Sequence, residues 1–462
     1  FRFYLGVYIS GQTLSSMVYN SPTMAQGDKQ KVVISGVGII SALGVGIDTL
    51  WEAMCEGRTG IKRIERFDPS GFASQVAGEL EGDAFKVRKI VPKSHRKATK
   101  VMCRDTELAV GAAAACIEDA GIQTAANNSE DTPTLNPDRV GCHIGAGLIS
   151  AELNELAAAL VTSKQDDGTF DLAHWGSEGM QNLTPLWLLK YLPNMLACHV
   201  TIVHDLRGPS NTITCCEASS GLSIAESRRV IQRGDADACL SGGAEDRVNP
   251  LALYRQHCTN RLVATDGSST LVSPFAKDAE GTVVGEGGGI LLIESETSCK
   301  QRVGHIWCSI EGIGCKQATG ECPLKPDAHA VTSAIQKALN EAGCDESAID
   351  VIVPLGSGVK ELDNVEAEAL SNIFGDQLLS IPTITTIPFT GNCMAGNGAI
   401  AVGVAAKALK EQHIPARLGA SETMSVQAQA CESNDAQLEY ALVVSPSEGG
   451  QCVAIVLKRG EA

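Results

Sequence analysis

Aromatic residues make up only 4% of these 462 residues, and positive charge is in deficit, with 37 Lys and Arg against 54 Asp and Glu. The formal net charge of −17 excludes a general nucleic-acid binder, which needs a basic surface. It does not exclude a local basic patch. No apolar run approaches the 18 or more residues of a membrane span. No HExxH and no Cys/His cluster stands among the nine His, so neither a catalytic nor a structural metal is expected. No GxGxxG or GxxxxGK[ST] occurs, which removes the usual dinucleotide and phosphate cradles. No cofactor is expected. The 17 Cys lack CxxC pairs and even spacing, which favours free thiols in a reducing cytoplasm over a disulfide framework.

What is present is a large supply of small residues, with 47 Gly and 44% hydrophobic residues, suited to helices packed closely on sheets. The length allows roughly two to three domain-sized units. Residues 1–30 read as a disordered leader or non-native extension, because Phe3–Ile9 is too short for a secretory apolar region and Met24 opens a natural-looking MAQGDKQKVVISG. Lys31–Ile40 is β-branched and alternating, hence a buried strand. Thr49–Glu56 and Asp105–Ala120 read as helices stopped by Gly57 and Gly121. Between them, residues 86–100 hold seven Lys and Arg. That segment is either a solvated helix start or a patch for an acidic carrier. Residues 122–138 read as a surface loop and Val140–Gly147 as a strand. Residues 151–195, with Trp175 and Trp187, read as an irregular helical insertion, either a cap over a pocket or a dimer-facing element.

The chain is organised around Gly208–Glu226, GPSNTITCCEASSGLSIAE. A strand-like run breaks at Cys215 and Cys216 and enters a small-residue helix continuing through Ser223–Arg233. A strand turning sharply into a helix exposes one side chain at the bend and aims the helix N-terminus at it. Downstream, strand Ala236–Leu240 leads to a turn at Ser241–Gly243, and residues 282–294 read as a glycine-rich turn into a strand. The second half echoes the first. Trp307–Cys315 (WCSIEGIGC) resembles Lys31–Ile39 (KVVISGVGI), each with a Gly-x-Gly element. Helix Ala328–Ala342, strand Asp350–Pro354, helix Asn364–Ile373 and strand Thr383–Ile387 follow. A turn at Gly391, Gly396 and Gly398 leads to an Ala-rich helix ending at Lys410. Strands Tyr440–Val444 and Cys452–Leu457 close the chain. Two halves of this kind imply a duplicated five-layer αβαβα arrangement with two central helices between sheets, divided into 31–298 and 299–462.

Four segments together resemble the β-ketoacyl-acyl-carrier-protein synthase family, of thiolase fold: VVISGVGIISALG (32–44), GDADACLSGGAE (234–245), SPFAKDAEGTVVGEGGG (273–289) and the frame GPS…ASSGLSIAE around the bend. The likeness runs from about residue 31 to 458. It implies an acyltransferase in which a cysteine at the bend accepts an acyl chain from acyl carrier protein. Two histidines and a lysine then serve decarboxylation and enolate stabilisation, and backbone N–H groups hold the thioester oxyanion. Carried over residue by residue, the nucleophile position is Glu217. Placing Cys216 there needs a deletion before it and an insertion after it. Leu355 falls at the first histidine, Asn392 at the second and Ile387 at the lysine. Glu448, in Ser447-Glu448-Gly449-Gly450, falls at the residue that gates the acyl pocket.

A carboxylate has little capacity to hold an acyl chain for condensation, leucine donates no hydrogen bond, and asparagine does not titrate. This pattern resembles the chain-length-factor subunits of polyketide and related systems, non-condensing partners that form heterodimers with an active ketosynthase. Expected partners are therefore an active ketosynthase, or a second copy of this chain, and acyl carrier protein. Two alternatives stand beside that reading. Glu217 acts as a general base or hydrolytic carboxylate in an altered acyltransferase or hydrolase, or Cys216 serves an active 3-oxoacyl synthase. At Glu217 the bland option is a carboxylate that caps the helix and accepts N–H bonds that once served an oxyanion. Burial raises its pKa and the helix dipole lowers it, so the sequence leaves the sign open.

Overall fold

The computed structural model describes residues 30–82, 85–127, 132–267, 272–318, 326–420 and 422–460. The expected leader lies outside these residues except for Gln30. The first half runs β1 (Val32–Ser41), α1 (Arg104–Asp119), β2 (Val140–Gly145), α2 (Met195–His204), β3 (Ser210–Ile213), α3 (Ser219–Gln232), β4 (Ala238–Asp246) and β5 (Glu286–Ser295). The second runs β6 (Cys308–Gln317), α4 (Ala328–Ala342), β7 (Val351–Val353), α5 (Lys360–Phe374), α6 (Asn397–Glu411), β8 (Tyr440–Pro446) and β9 (Gln451–Arg459).

These strands form one hydrogen-bonded path, β7-β8-β9-β6-β1-β5-β4-β2-β3. Divided between β6 and β1, it gives two sheets of the same topology. In the first, β2 pairs in parallel with β4, and in the second β7 pairs in parallel with β8; the next two pairs are antiparallel in both (β4/β5 with β5/β1, and β8/β9 with β9/β6). Where β3 lies parallel to β2, Thr383 forms a parallel bridge to Ile352 of β7. The seam between the halves is narrow, with only Val33 opposite Ser309 and Ile34 opposite Cys308.

Burial on both faces explains the near-continuous apolar strands. On β9, Val453, Ile455 and Leu457 face a central core, while Cys452, Ala454 and Val456 face an outer one. On β5, Leu291 and Ile293 point to the centre and Ile290 and Leu292 outward. The central core takes Ile224 and Ile231 from α3 and Ile400, Val404 and Leu409 from α6. Those two helices touch each other and both sheets. Leu108 and Ile117 of α1 with Val200 of α2 cover the first sheet, and Ile335 and Leu339 of α4 with Leu370 and Phe374 of α5 cover the second. The five expected layers and the two related halves are therefore present.

The repeated Gly-x-Gly has a steric cause. A Cβ on Gly38 would stand 2.0 Å from the Ala112 carbonyl oxygen of α1, and one on Gly314 would stand 1.8 Å from the Ala334 carbonyl oxygen of α4. Gly36 and Gly312 meet Cys116 and Ala338 of the same helices in the same way. In both halves the first outer helix rests its backbone directly on the first strand.

Several local expectations change. No turn occurs at Ser241–Gly243, because β4 continues to Asp246 with Gly242 paired to Ile290 and Gly243 to Gly289. These glycines serve close packing instead: a Cβ on Gly288 would stand 2.1 Å from the Gly243 carbonyl oxygen. For the same reason Gly287, Gly288 and Gly289 lie inside β5, not in a turn before it. The expected strand Thr383–Ile387 shrinks to the single bridge at Thr383, and a short helix, Ile387–Thr390, follows with Pro388 in its first turn. Helix α3 runs from Ser219 to Gln232, within the small-residue segment expected after the two cysteines. Residues 151–195 hold helices Leu153–Thr162, Leu172–Ser177 and Trp187–Lys190. Among the described residues no helix is long and apolar enough to cross a membrane.

Because backbone, not a pliant side chain, occupies the space, Gly38→Ala and Gly314→Ala are each expected to lower the unfolding free energy by about 3 kcal/mol in denaturant melts. A change below about 0.5 kcal/mol at either position would show that the helix backs away freely.

Candidate functional site: a carboxylate at the helix bend

The bend after β3 is held by one side chain. The Ser219 hydroxyl donates to the Cys216 carbonyl at 2.6 Å and accepts the Cys215 N–H at 2.8 Å. Cys216 takes φ +47°, in the left-handed region that costs a non-glycine residue roughly 1–2 kcal/mol. A short 3-10 turn, Cys216–Ala218, then feeds α3 and directs Glu217 inward, leaving it 2% exposed.

A second bend, where the sequence predicts a turn at Gly391, Gly396 and Gly398 into a helix, repeats the geometry of the first. The Cys393 N–H donates to Asn397 Oδ1 at 2.9 Å, Met394 takes φ +45°, and the 3-10 turn Met394–Gly396 feeds α6. Each bend thus has an N–H capped by the side chain four residues on, then one left-handed residue. The two turns touch, so both central helices begin at the same interior point. The alanine that follows Met394, Ala395, donates its N–H to Glu245 Oε2 at 2.9 Å.

Glu217 and Glu448 are brought together. Glu448 lies in the turn between β8 and β9, and its backbone N–H donates to Glu217 Oε2 at 3.2 Å. Its side chain forms an ion pair with Arg261. Arg247 Nη2 lies 2.6 Å from Glu245 Oε1, a charge contact without hydrogen-bond alignment, since that oxygen and Arg247 Nε have no hydrogen-bond partner. Burial pushes the Glu217 carboxyl up to about 7, opposed by its own backbone N–H and by Arg261 and Arg247. Burial therefore outweighs the N–H donors and guanidinium groups. At Cys216, burial first, then the charges of Glu217 and Glu245, push the thiol up to about 12. That thiol stays protonated at neutral pH, the opposite of what a nucleophile needs.

The other singled-out residues lie in different surroundings. Leu355 and Ile387 fall in one apolar cluster with Val76, Val263, Val272 and Val283. The loop carrying Leu355 is held by two buried acids. Glu366 accepts the N–H groups of Leu355 and Gly356 at 2.9 and 3.0 Å, and Asp363 accepts those of Ser357, Gly358 and Phe275. Asn392 is buried, with Oδ1 taken by the Met394 N–H at 2.9 Å and by Asn397 Nδ2 at 2.7 Å. Its amide supports the second bend. Sequence reasoning missed Arg247, Arg261 and the role of Glu245. Glu245 stood in the GDADACLSGGAE segment, but nothing local to Arg261 marks it.

The fold and site together define a duplicated α/β protein with a buried carboxyl where the two central helices converge. Residues 29–298 match the family model for the β-ketoacyl synthase N-terminal domain, and residues 307–421 match the one for the C-terminal domain. The chain belongs to the β-ketoacyl synthase family, with its thiolase-like fold. It is 28% identical over 443 residues to 3-oxoacyl-[acyl-carrier-protein] synthase 2 of Staphylococcus aureus (strain COL), covering 94% of this chain and 99% of that protein. The synthase 2 of Coxiella burnetii (strain RSA 493 / Nine Mile phase I) is 28% identical over 393 residues, covering 84% and 88%. Among solved structures, a β-ketoacyl synthase from Burkholderia phymatum STM815 superposes with a TM-score of 0.80 at 24% identity, and the ishigamide ketosynthase/chain length factor with 0.78 at 24%. Each covers 94% of this chain and 100% of the other.

A carboxyl whose folded pKa is raised holds a proton that the unfolded chain has lost. Its stabilising contribution is complete below the ordinary value of 4.5 and disappears as pH rises through about 7. Relative to Glu217→Gln, the wild type is expected to lose about 3 kcal/mol of stability between pH 5 and pH 8. Paired melts isolate Glu217 from Asp363 and Glu366, which titrate in both chains. A difference that stays constant with pH would mean that Glu217 is charged throughout.

Proposed function

We propose that this chain is a non-condensing ketosynthase-like subunit, similar to a chain length factor, that pairs with an active β-ketoacyl synthase in fatty acid, polyketide or specialised lipid biosynthesis. The observation that carries the reading is the state of the four positions that the resemblance makes catalytic. Glu217 rests on the N–H of Glu448 where a thiolate is needed. Leu355 and Ile387 have closed into an apolar cluster where an imidazole and an ammonium are needed. Asn392 has its oxygen tied to the second bend. Acyl transfer to the bend lacks a nucleophile, and the alternative thiol of Cys216 is held protonated.

Three features support partners. The sheet ends at β3, whose Ser210 and Asn211 are exposed, an edge available to another chain. Large exposed apolar side chains gather nearby in sequence, including Leu148, Val161, Leu172, Leu186 and Ile202. These favour a partner-facing role for residues 151–195 over a cap. In residues 86–100, Arg88, Lys89, Lys93, Arg96, Lys97 and Lys100 are all exposed, a local basic surface for acyl carrier protein on a chain of net charge −17. The free thiols of the described cysteines fit a reducing cytoplasm.

The raised pKa of Glu217 favours one second reading, a general base in an altered acyltransferase or hydrolase. Full activity of Glu217→Gln in acyl-transfer and thioesterase assays would remove it. The main test is co-expression with an intact ketosynthase encoded beside this chain, followed by native mass spectrometry. A mixed complex is expected, and stable homodimers alone would sink the proposal. Glu217→Cys is expected to restore no condensation, because Leu355 and Ile387 still supply no proton donor. Acyl-thioester turnover by that single variant would show that the rest of the site is competent.

A further inference from the structure

Trp307 stands at the seam between the two halves, and its indole is held in place. Its backbone N–H donates to the Ile34 carbonyl of β1 at 2.8 Å, and its Nε1–H to Asp119 Oδ2, at the end of α1, at 2.9 Å. His305 packs edge-on against the ring, with centroids 5.9 Å apart. Two ammonium groups from the end of α6 lie against the same ring, Lys410 at 4.0 Å from its centroid and Lys407 at 5.6 Å. Their circumstances differ. Lys407 Nζ is 2.8 Å from Asp48 Oδ1 and 2.7 Å from Glu411 Oε1, so its charge is balanced. Among the described residues Lys410 has no carboxylate partner, and its contact is the ring. A fixed aromatic face positions an ammonium without neutralising it.

Beside Lys410 is a cavity of about 560 Å³ lined by Ile306, Trp307, Glu439, Lys458 and Arg459. Lys458 and Arg459 close β9, opposite Tyr440 of β8 and Cys308 of β6. Lys458 Nζ lies 3.3 Å from Glu439 Oε1 and over the Tyr440 ring at 5.1 Å. Arg459, like Lys410, is exposed and forms no ion pair among the described residues. Three cations therefore line one cavity with a single carboxylate to answer them, on a chain of net charge −17. Like charges gathered in this way repel one another. The helix dipole accounts for a lysine at the end of α6. It does not account for Lys458 and Arg459, which a strand carries.

We propose that this cavity binds a small molecule carrying at least two phosphate charges, held by the Arg459 guanidinium and the Lys410 ammonium, with Lys458 shared between the ligand and Glu439. A guanidinium matches phosphate oxygens two at a time, and an ammonium adds a point charge. The volume lies within the range of small-molecule sites, with Ile306 and Trp307 as an apolar wall. That concave shape favours a small molecule over an acidic peptide. Lys410 stands at the far end of α6 from the bend, roughly 20 Å along the axis by the rise per residue. The site therefore depends neither on the chemistry at Glu217 nor on the pairing with a ketosynthase proposed above.

Calorimetric titration of the full chain with pyrophosphate tests the site, in about 0.1 M NaCl to screen loose attraction to exposed cations. Saturable binding of one pyrophosphate per chain is expected. Lys410→Gln and Arg459→Gln, both at exposed positions, are each expected to weaken it at least tenfold. Lys410→Arg, which keeps the charge, is expected to stay within threefold of the wild type. The proposal is overturned if the wild type shows no saturable binding. It is also overturned if both Gln variants bind as tightly as the wild type, which would place the anion on another basic surface such as residues 86–100. Tighter binding of an oligoglutamate peptide than of pyrophosphate would overturn it in favour of an acidic peptide. Should one Gln variant fail to fold, the other decides the matter alone.

Discussion

Two helices have to enter one interior from opposite halves of the chain, and the whole arrangement depends on how each is started. In both, a backbone N–H at the bend is held by a side-chain oxygen four residues on, Ser219 for Cys215 and Asn397 for Cys393. One residue at each bend, the first of the 3-10 turn that feeds the helix, then takes a left-handed conformation. Because the two starts touch, a side chain one residue further on projects into the space between the sheets. Glu217 occupies that place in the first half and the methyl group of Ala395 in the second. The location of the site is thus a consequence of duplication and of two small hydrogen-bonded caps.

A buried carboxylate in such a place has to be compensated. Burying an ion costs several kcal/mol unless donors and countercharges replace water. Here N–H donors, two arginines and a raised pKa share that role, and Glu217 ends half-protonated near neutral pH. Glu245 and Glu448 in turn engage Arg247 and Arg261. At Leu355 and Ile387 the solution is the reverse: two positions where the resemblance implies polar groups are filled by side chains that pack on each other. The frame around them, Asp363 and Glu366 holding the 355–358 loop, remains polar and hydrogen-bonded.

Much of this was legible in the chain itself. The Gly-x-Gly echo between KVVISGVGI and WCSIEGIGC is a direct record of duplication, because only a glycine lets an outer helix lay its carbonyls on the first strand. Helix α4 and the strands at both chain ends were readable because their apolar periodicity is long and uninterrupted. Glycine was misleading where packing, not turning, required it. Gly242 and Gly243 looked like a turn and are paired strand residues. Thr383–Ile387 looked like a full strand, yet Pro382 and Pro388 flank it and only Thr383 pairs.

By itself the sequence determined the family and the five layers. These are matters of residue identity and local spacing. Only the tertiary structure decided which groups surround Glu217. Glu217, Glu245, Arg247, Arg261 and Glu448 lie up to 231 residues apart, and their contacts follow from where the bends, β4 and the β8–β9 turn come together. The sign of the Glu217 shift was open in the sequence because burial and nearby donors act in opposite directions. It is settled by the packing of both halves around the carboxyl, which removes it from water more completely than the donors compensate.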